Sequence, residues 1–82
     1  MPLTIPERKK LRDHLLVKLY NIYFETGEGN KVESMKLDLE ERVAYTYLRD
    51  KGLVKEIIKT GVRTVELRIS AVGIDYVEET LL

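Results

Sequence analysis

Two arginines, a tyrosine and a threonine lie within two turns of each other in the stretch DLEERVAYTYLRDKGLV, residues 38–54. Folded as a helix, at 100° per residue, this stretch gathers Arg42, Tyr45, Thr46 and Arg49 on one side. All four side chains donate hydrogen bonds, and the guanidinium groups stay charged at any physiological pH. The chemistry open to them is recognition of an anion or of a row of acceptors. Catalysis has much less to work with. The single histidine, His14, falls on the outer side of the first helix, and the chain has no cysteine. Acid–base work needs a second tuned group in a shaped pocket, and a typical zinc site needs several imidazoles or thiolates. Neither an enzyme nor a metal or cofactor site is expected.

The helix that carries these donors is well marked at both ends. Asp38 can cap it, and Glu41 sits three residues on, at capping-box spacing. Gly52 supplies the residue that commonly ends a helix in the left-handed conformation. The spacing predicts a helix over about 38–51, with Leu39, Val43, Ala44, Tyr47 and Leu48 turned inward.

Before it comes a longer helix, which begins near Pro6 and ends before Gly27. Pro6 suits the first turn, where its missing N–H is no loss. Thr4 and Glu7 also have capping-box spacing, so two starts one residue apart stay open. Leu11, Leu15, Leu16, Leu19, Tyr20, Ile22 and Tyr23 form one broad apolar side, with Val17 and Phe24 just past its edge. An apolar surface this wide needs either another element of the same chain or a partner. TGEGNK, residues 26–31, is read as a plain loop, because no Gly-Lys-Ser/Thr motif follows and no strand precedes it. Residues 32–37 are expected to add one or two helical turns, with Val32, Met35 and Leu37 available for burial.

After Gly52 the period changes from helical to alternating. Val65, Leu67 and Ile69 alternate with Thr64, Glu66 and Arg68, and Thr60-Gly61 is a candidate hairpin turn. That turn would set Val54 opposite Leu67 and Lys55 opposite Glu66. Ile58, Val65 and Ile69 would share the inward side, and Glu56 opposite Val65 fits poorly. Ser70 then caps a last helix, with Val72, Tyr76, Val77 and Leu81 as its candidate buried side. Gly73 weakens that helix and suggests close approach of another backbone.

The motif YLRDKGLV, residues 47–54, resembles the end of a recognition helix running into the first wing strand of a winged-helix domain. LRISAVGIDYVEE, residues 67–79, is similar to the last strand and following helix of small bacterial, archaeal and phage members of that superfamily. The resemblance covers nearly the whole chain and implies an α+β fold: a three-helix winged helix-turn-helix with a β-hairpin wing (about 53–69) and a C-terminal helix. It implies sequence-dependent binding of double-stranded DNA by a transcriptional regulator, with residues 38–51 entering the major groove. Arg42, Arg49, Tyr45 and Thr46 would then meet bases or the sugar-phosphate backbone. Lys59 and Arg63 would serve the wing, and Lys9, Lys10 and Arg12 would add backbone contacts. Two features depart from the pattern: the wing tip is sparse, and the recognition helix opens with Glu40 and Glu41. Winged helices also serve as protein-binding or self-assembly modules, which is the alternative.

Length and charge bound these readings. Eighty-two residues make one domain, 1–82. Formal net charge is zero, which argues against indiscriminate coating of nucleic acid. Residues 7–18 are nevertheless basic, residues 55–68 mildly so, and Asp75, Glu78 and Glu79 make the end acidic. With no apolar run near ~20 residues and no signal-peptide pattern, a cytoplasmic protein without a membrane partner is expected. No small-molecule ligand is expected. Val17, Tyr20, Phe24, Val72 and Tyr76 are the surface expected either to form a homodimer or to dock the last helix.

Overall fold

The computed structural model describes residues 3–33, 36–58, 61 and 64–82. It shows an α+β fold of three helices and a three-stranded antiparallel sheet. Helix α1 spans Ile5–Thr26. Thr4 settles its start: the Thr4 hydroxyl accepts from the Glu7 N–H at 3.3 Å, and the Glu7 carboxylate accepts from the Thr4 N–H at 3.0 Å. Gly27, at φ 75°, closes the other end and donates to the Tyr23 carbonyl.

Strand β1, Asn30–Val32, corrects the expectation of a loop through Lys31 followed by helical turns from Val32. It pairs with the strand at 65–69, setting Asn30 opposite Leu67 and Val32 opposite Val65. Gly29 is what admits the chain there. A Cβ at that position would stand 2.4 Å from the Leu67 carbonyl oxygen, so any other residue would push β1 off the sheet. Of the segment between β1 and the next helix, Lys36 closes a short turn onto the Glu33 carbonyl at 2.9 Å. Met35 lies outside the described residues.

Helix α2, Leu39–Asp50, is capped by Asp38, whose carboxylate accepts from the Glu41 N–H at 2.8 Å. Gly52, at φ 79°, ends it as expected. The side that α2 buries is not the expected one. Ala44, Tyr45 and Leu48 face the core, while Leu39, Val43 and Tyr47 are 64%, 54% and 41% exposed. The buried arc is turned by about one residue, roughly 100°. α2 packs against both α1 and β2, and the Tyr45 ring is the largest apolar body it can offer to that corner. Periodicity had placed Tyr45 outward with the polar set.

Strands β2 (Val54–Ile58) and β3 (Val65–Ile69) form the hairpin, and the sheet order is β1-β3-β2. Val54 pairs with Ile69, Lys55 with Arg68, and Glu56 with Leu67. The register is therefore two residues away from the one a Thr60-Gly61 turn implies, and Lys55 does not face Glu66. A shift of two keeps every side chain on its expected side of the sheet. Val54, Leu67 and Ile69 are buried inward as foreseen, whereas Ile58, the last residue of β2, is exposed. Glu66 is buried on the far side, where its carboxylate accepts from the Gly29 N–H at 3.2 Å and from the Arg68 guanidinium.

Helix α3, Ala71–Tyr76, continues through a wider π-helical turn over Val77–Leu81. Ser70 caps it by accepting from the Gly73 N–H at 3.1 Å, and the Ser70 hydroxyl donates to the Gly52 carbonyl. The Ser70 N–H donates to the Leu53 carbonyl at 3.0 Å. The start of α3 is thus pinned to the turn between α2 and β2. Val77 is fully buried and Tyr76 half-buried, but Val72 is exposed; the expected buried side is corrected there. α3 packs on α1 of the same chain, where Tyr20 donates to the Glu78 carboxylate at 2.8 Å. Val17 and Tyr20 are half-buried, and the exposed Phe24 ring lies tilted against that of Tyr20, 4.7 Å between centroids. Most of the strip that called for a partner is received by the chain itself.

Candidate functional site

The four donors expected to act together on α2 have four different fates. Arg42 is exposed, and its guanidinium makes no hydrogen bond or ion pair among the described residues. Arg49 is held: its Nη1 lies 2.8 Å from the Glu56 carboxylate and its Nη2 3.5 Å from Asp50. The hydrogen bond to Glu56, then the charges of Glu56 and Asp50, raise the Arg49 pKa above its ordinary value. Glu56, the residue that fitted poorly in the hairpin, projects on the helical side of the sheet because α2 supplies this partner. The Thr46 hydroxyl donates to the Arg42 carbonyl at 2.9 Å, so its proton is used within the helix. Tyr45 is only 6% exposed, and burial first, then the Glu41 charge, pushes its pKa up.

Arg42, Tyr45, Thr46, Arg49 and Glu56 nevertheless share one feature. They line a cleft of about 160 Å³ between α2 and the sheet, whose other walls are Val32, Leu37, Val65 and Leu67. Strand β1, unforeseen in the sequence, supplies Val32 to it.

The basic residues of α1 stand on the other flank of α2. The Arg12 guanidinium lies 4.1 Å from the centroid of the Tyr47 ring, and the Lys51 ammonium 5.8 Å from it. Lys9 reaches Asp13 and the Tyr76 hydroxyl, each at 3.4 Å, and the Tyr76 bond is the largest cause of its raised pKa. Arg8 approaches Glu40 at 4.0 Å, and Lys10 is exposed. Lys59 and Arg63 lie outside the described residues. The row Leu39, Val43, Tyr47 runs along α2 between these two flanks. Sequence periodicity missed it as a surface, because 44-45-48 and 39-43-47 are equally regular apolar sets and only packing chooses between them.

Among the described residues no helix is long and apolar enough to cross a membrane. No known family, curated protein or solved structure matches the chain. What fold and site define is an α+β domain of three helices and a three-stranded antiparallel sheet. Its second helix carries one unpaired arginine beside a tyrosine-lined cleft.

Proposed function

We propose that the chain binds duplex DNA in the manner of a winged helix, with α2 in the major groove and the β2–β3 hairpin as the wing. The observation that carries this reading is the bracing of α2 against β2. The Arg49–Glu56 bond fixes helix and hairpin side by side, while Arg42 projects free from the same flank. A free, planar guanidinium on a rigid helix suits a guanine edge or a phosphate. Arg49, oriented by Glu56, contacts the backbone, and Lys10, Arg12 and the wing lysine and arginine add phosphate contacts. Tyr45 drops out of the contact set because it is buried.

The test is fluorescence anisotropy with mixed-sequence duplexes across a salt series. About four neutralised phosphates per subunit give a slope of log K against log salt near −3.6 for a monomer and twice that for a dimer. Arg42→Gln should flatten the slope by about one if Arg42 meets a phosphate, or relax specificity at one base pair if it meets a base. Absence of binding to any duplex at low salt overturns the reading.

A second reading, a protein-binding module, is favoured by the exposed row Leu39, Val43 and Tyr47. Three apolar side chains in line on a helix are the footprint of a helix-face interface. Sedimentation equilibrium addresses the case in which the partner is a second copy. Association abolished by Val43→Glu but kept in Phe24→Ser assigns the contact to this row rather than to α1.

A further inference from the structure

We propose that the cleft between α2 and the sheet is a binding site for a small monocarboxylate with an apolar body, of the size of benzoate or a branched short-chain acid. Tyr45 is the pointer. A tyrosine buried to this depth ordinarily has a partner for its hydroxyl, yet this one makes no hydrogen bond among the described residues. No described side-chain oxygen or nitrogen is both sealed from solvent and unpartnered. The hydroxyl is therefore not fully sealed from solvent, and Tyr45 is among the residues that line the cleft.

The rest of the lining completes the chemistry. Arg42 brings a guanidinium that no carboxylate of the described chain neutralises, whereas the charge of Arg49 is already answered by Glu56. Glu41, one turn before Tyr45 on α2, is not part of the lining. Burial and the Glu41 charge both favour the protonated phenol, which keeps it a donor at neutral pH. A carboxylate placed between Arg42 and Tyr45 thus meets a two-pronged cation and one neutral donor. Val32, Leu37, Val65 and Leu67 then receive a ring or a branched chain, which excludes bare phosphate as the natural fit. At about 160 Å³ the cleft is well below the range of drug-sized sites, which sets the upper size of the guest.

This site does not rest on the nucleic-acid reading, and its test contains no DNA. The full chain, labelled with ¹⁵N, is titrated with benzoate and with isovalerate, and in parallel with benzamide and isovaleramide. Saturable shifts centred on Arg42, Tyr45 and Val65 are expected for the acids, with the amides at least about tenfold weaker. Arg42→Gln, an exposed change that leaves the core alone, should weaken the acids by about tenfold or more, and Tyr45→Phe by roughly three- to tenfold. The proposal is overturned if neither acid saturates by about 20 mM, a bound far weaker than typical affinities. Shifts that centre on another surface, equal binding of acid and amide, or an unchanged affinity in Arg42→Gln overturn it as well.

Discussion

Arg42 and Arg49 stand about two turns apart on one helix, and their neighbours give them different work. Arg49 finds Glu56 across the gap to β2 and becomes a brace; Arg42 finds nothing and stays available. Neither fate could be read from the sequence, because Glu56 comes within reach only once the hairpin register and the rotation of α2 are both fixed. Tyr45 shows the same limit from the other side. Its hydroxyl placed it with the polar set, while its ring was the piece the core required. The cap residues were legible, since the groups they bind lie three residues away in the chain. Thr4 and Glu7 carry a testable consequence. The Thr4 N–H first, then the Thr4 hydroxyl, hold the Glu7 carboxyl below its ordinary value of 4.5. A carboxylate depressed in this way adds stability above its unfolded pKa and loses that contribution as pH falls through the folded value. NMR titration should therefore place Glu7 below 4.5, and in Thr4→Val, which keeps the N–H of residue 4 but loses its hydroxyl, the midpoint should rise only part of the way. An unmoved midpoint would mean that the Thr4 hydroxyl has no part in depressing it.

At the scale of elements, glycines decide where backbones touch. Gly73 sits where the first turn of α3 crosses the α2–β2 turn, and a Cβ there would lie 2.2 Å from the Leu53 carbonyl oxygen and 2.7 Å from an Ile69 side-chain carbon. Helix propensity alone says that Gly73→Ala should stabilise by about 1 kcal/mol. The contact says the opposite, and we expect it to win, with a net loss of about 2 to 3 kcal/mol. For a domain of this size that is a fall in Tm on the order of 10–20 °C, measurable by circular dichroism; a rise in Tm would show that the two backbones separate easily. The sequence hinted at this close approach through Gly73 itself. It gave no comparable hint of β1, because three residues of ordinary composition form a strand only where a neighbour offers an edge. The hairpin register slipped by two for a related reason: inward-outward alternation constrains a strand to even shifts, and the turn that would choose among them carries a weak signal.

For the molecule as a whole, α3 is a structural necessity rather than an appendage. It covers the strip of α1 around Val17 and Tyr20 and places Val77 at the centre of the core. Deleting residues 70–82 is expected to abolish cooperative thermal unfolding and collapse the dispersion of the amide spectrum. A truncated chain that still melted sharply would show that α1, α2 and the sheet suffice. Docking of α3 within the chain also removes the main reason for expecting a dimer through α1. The outward row of α2, which the sequence had assigned to the interior, is one apolar surface left exposed. The α+β class and the order of the two long helices, the hairpin and the last helix were legible, since each rests on caps and periods a few residues long; the helical turns expected from Val32 were not. The faces that meet, and so the faces left over, depend on three elements arriving at one corner.

The sheet order carries a consequence for how the chain is made. β3 is the middle strand, yet it is the last of the three to leave the ribosome, with Asn30 waiting for a partner at Leu67. Until then both β1 and β2 lack their hydrogen-bonding neighbour, so the sheet cannot assemble stepwise during synthesis. Closing loops of that length is the slow part of folding for small domains, and α1 and α2, whose contacts are nearer in sequence, are the pair able to meet first. A nascent chain stalled before residue 65 should accordingly show helical signal without a sheet.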